Sequence, residues 1–105
     1  MTKVATIDEA EGVIAGLRAM ETELRRSGIE HLALFGSMAR GEANAKSDID
    51  LAVLFDPAAR MDLLRLIGLE RRLSEAFGRP VEFTTLPIKS QGLRASVERD
   101  SLSVF

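Results

Sequence analysis

The segment GSMARGEANAKSDIDLAVLF, residues 36–55, sets Asp48 and Asp50 one residue apart at the head of an apolar run, with a Gly36–Ser37 pair upstream. In an extended strand both aspartates project to one face, about 6.6 Å apart along the backbone, close enough for their carboxylates to converge on one cation. Two such charges about 4 Å apart repel by roughly 4 kcal/mol at an effective dielectric near 20. A hard divalent ion such as Mg²⁺, which prefers oxygen ligands and keeps several waters, offsets that repulsion. Gly36 and Ser37 end one apolar run and open the turn SMAR, where free backbone N–H groups and a hydroxyl can receive an anionic oxygen. A phosphate seat beside a metal seat is therefore one reading. Each part also has a plainer one: Ser37 an N-cap, Gly36 a turn glycine, the aspartates a solvated strand entrance, Arg40 a solvent-facing cation.

The elements that must position these residues alternate between helix and strand. TIDE, residues 6–9, has the form of a capping box. Val13, Ile14, Leu17, Met20 and Leu24 then recur at helical spacing until Ser27 and Gly28, which predicts one amphipathic helix. EHLALF follows as a strand apolar enough to be covered on both faces, and DIDLAVLF as a second, with Ile49 and Leu51 pointing into the core. Asp56 and Pro57 read as the N-cap and first-turn proline of a helix that carries Leu63, Leu66, Ile67, Leu73 and Phe77 to a stop at Gly78 and Pro80. VEFTTL predicts a third strand. Val81 and Phe83 flank Glu82 with the opposite facing, so Glu82 lies on the polar face. Beyond Pro87 a short helical pattern runs through Leu93 and Val97, and SLSVF closes the sheet as an edge strand. Val104 and Phe105 either pack on that sheet or extend an interface. His31, far in sequence from any second ligand, reads as structural.

With 105 residues, 46% of them hydrophobic and 29% charged, the chain is expected to be one small domain, residues 1–105, soluble and cytoplasmic. No apolar run reaches the roughly 20 residues of a membrane span. A net charge of −2, no basic stripe and few aromatics argue against long nucleic acid as a ligand. The pairs in LRRSG and RRLSEAFGR read as helix C-terminal cations favoured by the dipole. Absence of cysteine excludes disulfide and thiolate chemistry.

Gly-Ser, ten intervening residues and Asp-x-Asp in strand-turn-strand context resemble the signature of the DNA polymerase β-like nucleotidyltransferases, and GSMARGEANAKSDIDLAV most resembles the minimal nucleotidyltransferases encoded beside a HEPN-domain partner. GRPVEFTTL and LRASVERDSLSVF are similar to the family's third strand and closing segment, so the resemblance covers nearly the whole chain. It implies an α/β fold with a small mixed sheet flanked by helices, and Mg²⁺-assisted transfer of AMP from ATP to a hydroxyl, a tyrosine of a HEPN-type toxin. It further implies Asp48 and Asp50 as metal ligands, and Gly36, Ser37 and Arg40 as the nucleotide seat. Glu82 stands where the family usually has aspartate; it implies a third metal ligand or a general base. Two other readings stay open: neutralisation of the partner by binding alone, and a free-standing transferase with a small-molecule acceptor.

Overall fold

The computed structural model describes residues 7–42, 47–86, 92, 95 and 99–105. The expected first helix is two: α1, Ile7–Ala19, and α2, Glu21–Arg26. Its periodicity continues through Met20, but the backbone there (φ −99°, ψ 8°) departs from helical values, and its N–H bonds Leu17 O at 3.0 Å, three residues back rather than four. Leu17 and Leu24, on either side of the break, are both buried. Thr6 of the capping box, and Leu93 and Val97 of the tail pattern, lie outside the described residues.

Strand β1, Ile29–Phe35, leads into the single turn α3, Gly36–Ala39, and the chain returns as β2, Ile49–Phe55. Asp56 and Pro57 cap and open only a 3₁₀ turn, Pro57–Ala59, which ends at Arg60 in a left-handed conformation. The long helix α4, Leu63–Phe77, begins instead behind Asp62, whose Oδ1 accepts from Arg65 N–H at 2.8 Å. It ends at Gly78, as expected, and β3, Val81–Thr85, follows. The expected edge strand is β4, Leu102–Ser103.

The four strands form a mixed sheet in the order β3-β2-β1-β4, with β2 antiparallel to β1 and parallel to β3. Parallel strands need a long crossover, which α4 supplies. An irregularity between Ile29 and His31 lets Ile29 and Leu32, three apart, both be buried, which strict alternation would forbid. One face of the sheet carries the core: Leu32, Leu34, Ile49, Leu51, Val53 and Val81 join Leu17, Leu24, Leu69 and Leu73 of the helices. Among the described residues, the other face holds a small cluster of Phe35 and Ala52 with Ala33 and Leu86. Along the β3 edge, Val81 N–H donates to Ser74 Oγ and Phe83 N–H to Glu70 Oε2, so α4 occupies donors that an edge strand would otherwise expose.

The chain's end belongs to its own core. Val104 is 2% exposed, its carbonyl accepts from Arg18 Nε at 2.8 Å, and Arg25 lies 4.6 Å over the Phe105 ring. Arg25 and Arg26 sit in the last turn of α2 as expected, but Arg71 and Arg72 fall inside α4, paired with Glu75 and Glu23. Among the described residues no helix is long and apolar enough to cross a membrane.

Candidate active site

Asp50 is fixed by what its neighbours bury. Ile49 and Leu51 are fully enclosed in the core, so the residue between them must point to the opposite face. On that face it stands across from Phe35 of β1 on one side and Glu82 of β3 on the other. The Asp50–Glu82 pairing follows from parallel register, which also sets Ile49 against Val81 and Leu51 against Phe83. Asp48 lies just ahead of the strand and is exposed; Asp50 is half-buried and Glu82 exposed. Burial, foremost, and the charges of Glu82 and Asp48 raise the Asp50 carboxyl above its ordinary 3.8, against a smaller opposing pull from Arg40. Asp48, Asp50, Glu82 and Arg40 thus form one electrostatic group.

Gly36 closes against this carboxyl. Its φ is +79°, and a Cβ there would stand 2.5 Å from Asp50 Oδ2. A side chain at position 36 is therefore excluded twice, by backbone conformation and by Asp50. Ser37 follows at the start of α3, half-buried; its carbonyl accepts from Glu42 N–H at 2.8 Å, and its hydroxyl has no hydrogen-bond partner among the described residues. Arg40 donates through Nε to Glu42 Oε2 at 3.0 Å, and its Nη1 lies 3.8 Å from Asp100 Oδ2.

Gly36, Ser37, Arg40, Asp48, Asp50 and Glu82, the six residues singled out from sequence, thus fall at one end of β2 and its neighbours. The carboxylates do not form a ready-made cage: among the described residues no three His, Cys, Asp or Glu side chains are gathered so as to hold a metal ion. Their chemistry still fits a hard cation, since like charges and burial strain Asp50 toward protonation and a bound cation would relieve both. His31 is exposed on β1, 4.0 Å from Glu30, and belongs to no such group. Sequence reasoning missed Glu42 and Asp100, which hold Arg40. Glu42 was legible two residues after it; Asp100 reaches it from the chain's far end, where no local pattern points. Among the described residues, clefts of about 380, 500 and 760 Å³ lie elsewhere, none lined by Asp48, Asp50 or Glu82.

Residues 20–105 match the family described as polymerase beta, nucleotidyltransferase. The chain belongs to the polymerase β-type nucleotidyltransferases. Among the minimal members, it is similar to the protein adenylyltransferase MntA of Thermococcus cleftensis, 34% identical over 100 residues that cover 94% of this chain and 96% of the relative. A solved structure provisionally assigned as a minimal nucleotidyltransferase superimposes with a TM-score of 0.72 at 32% identity, over 88% of this chain and 92% of the other. A crystal structure of a toxin–antitoxin with AMP-PNP contains a chain matched at a TM-score of 0.68 and 27% identity, over 82% of this chain and 69% of that one. The small mixed sheet with its helices is the architecture of these nucleotidyltransferases, as the Gly-Ser and Asp-x-Asp pattern implied.

Proposed function

We propose that this nucleotidyltransferase transfers AMP from ATP to a hydroxyl, a tyrosine, of a HEPN-type toxin and so acts as its antitoxin. The observation that carries the reading is Asp50, placed in one register between Glu82 and the Gly36–Ser37 turn. The name of the Thermococcus relative and the AMP-PNP in the toxin–antitoxin structure support the nucleotide and the class of acceptor.

Asp48 and Asp50 would hold Mg²⁺, with Glu82 as the third oxygen donor. The ion, when bound, supplies positive charge against the triphosphate and the leaving group. Ser37 offers its hydroxyl, and the opening of α3 its backbone N–H groups, to phosphate oxygens; Arg40 turns from Glu42 to neutralise them. The acceptor oxygen forms a bond to the α-phosphorus as the bond to the β-phosphate oxygen breaks, pyrophosphate leaves, and the hydroxyl proton passes to Glu82. The rest is positioning, which the register of β2 and β3 provides. Asp48 and Glu82 are exposed, so the toxin's own surface would complete the site and help exclude water.

A second reading, neutralisation by occlusion, is favoured by one feature: glutamate rather than aspartate at position 82, in a group not gathered around a point. Co-production with the toxin, followed by intact mass measurement of both chains with ATP and Mg²⁺, separates the two. Transfer predicts AMP added to the toxin by the wild type, and a complex that persists unmodified with Asp48→Asn, Asp50→Asn. A neutralised toxin of unchanged mass supports occlusion; a toxin neither bound nor modified overturns both.

A further inference from the structure

The first two turns of α4 present apolar side chains to solvent: Leu63, Leu64 and Ile67 are 69%, 82% and 49% exposed. Grooves flank them. One, of about 500 Å³, has Phe55, Pro57, Met61 and Leu66 in its walls; the other, of about 380 Å³, has Arg26, Arg65 and Arg72. Gly68 lines the smaller groove, one turn after Leu64 and one turn before Arg71 and Arg72. Glycine is the poorest helix former after proline, and a Cβ at Gly68 would meet nothing within 4 Å. Nothing in this chain's own packing asks for glycine there, whereas the backbone of a visiting helix could come close over it.

The charges around the patch say what visits. The larger groove is mixed, Arg60 sharing it with Asp56 and Asp62, but the smaller one sets Arg26, Arg65 and Arg72 together with no acidic residue among the described residues of its walls, and the pairings of Arg71 with Glu75 and of Arg72 with Glu23 are surface pairs that cost little to exchange. The chain as a whole carries −2, so this concentration of arginine is local. A second copy meeting this face by its own like face would set arginines against arginines. A helix with an apolar stripe and acidic edges meets both features at once.

We propose that the N-terminal half of α4 is a docking face for an acidic amphipathic helix of the toxin. The identity of the partner rests on the proposed function. The face is remote from the carboxylates: α4 starts beyond the Phe55 end of β2, whereas Asp50 lies near the other end and points to the sheet face opposite α4. Recruitment and chemistry are therefore separable. The test measures toxin affinity and steady-state AMP transfer for the wild type, Leu64→Glu, Arg71→Glu and Gly68→Leu, each at an exposed position that leaves the core untouched. The expected result is a loss of affinity of about tenfold or more for each variant, with KM for the toxin raised in parallel and kcat at saturating toxin unchanged. Wild-type affinity in all three variants overturns the docking face and leaves the proposed function standing. Concentration-dependent self-association that Leu64→Glu abolishes, with toxin affinity intact, overturns it in favour of a second copy. A wild type that neither binds nor modifies the toxin overturns this inference and the proposed function together.

Discussion

Replacing Gly36 by alanine probes the closest approach in the site. Two costs add. An L-residue held at a φ of +79° costs about 1–2 kcal/mol. The new Cβ, 2.5 Å from Asp50 Oδ2, must push that carboxyl by nearly an ångström, and an off-rotamer side chain costs about 0.5–1.5 kcal/mol. Gly36→Ala should therefore lose about 1.5–3.5 kcal/mol, which at about 4 °C per kcal/mol lowers Tm by roughly 6–14 °C in a domain of this size. The two parts separate in a double-mutant cycle. In an Asp50→Ala background the carboxyl is gone and only the backbone cost remains, so Gly36→Ala should destabilise that variant by about 1 kcal/mol less than it destabilises the wild type. Urea unfolding of the four proteins gives the numbers. Transfer should suffer more than stability, because a displacement of about 1 Å at a reacting group can cost about a hundredfold in rate. Equal destabilisation in the two backgrounds would show that Gly36 serves its turn alone. A fully active Gly36→Ala would refute the argument that its contact with Asp50 sets the site.

Asp50 offers a test by pH. Its carboxyl is raised above 3.8, so the folded state binds that proton more tightly than the unfolded chain, and stability is lost as pH rises through the folded value. At neutral pH the penalty is fully present: Asp50→Asn should melt higher than the wild type, with the gain fading as pH falls through the raised folded value and gone below about 3.8, and thermal melts of both across that range check it. Glu82→Gln should cut transfer by about two orders of magnitude or more, in the range of acid-base groups, with Glu82→Asp as control. An inert wild type rescued by Glu82→Asp would mark a degraded enzyme. Val104→Ala should cost the isolated chain about 2 kcal/mol from two lost buried methyl groups, read by urea unfolding, since Val104 packs in this chain's own core.

What could be read from sequence was what depends on near neighbours. The alternation of Ile49, Asp50 and Leu51 fixed which face the carboxylate takes, and Val81 and Phe83 did the same for Glu82; parallel pairing then needed only one register to bring Asp50 and Glu82 together. Local signals misled where two solutions shared one pattern. Met20 keeps helical spacing across a break because a three-residue bond preserves the buried face. Asp56-Pro57 and Asp62 both satisfy the rules for a helix start, and which of them opens the long helix depends on Arg60 turning left-handed between them. Arg40 was legible as a cation near the turn, but its hold on Asp100 spans most of the chain and leaves no trace in spacing.

Binding of ATP, followed by thermal shift with and without Mg²⁺, in the wild type and in Asp48→Asn, Asp50→Asn, reaches the central claim that these two carboxylates seat a metal–nucleotide pair. A ligand at a hundred times its dissociation constant stabilises the folded chain by about 2.7 kcal/mol. That shift should appear in the wild type only when Mg²⁺ is present, and in the double variant under neither condition. Equal Mg²⁺-dependent shifts in both proteins would place the nucleotide elsewhere and contradict it.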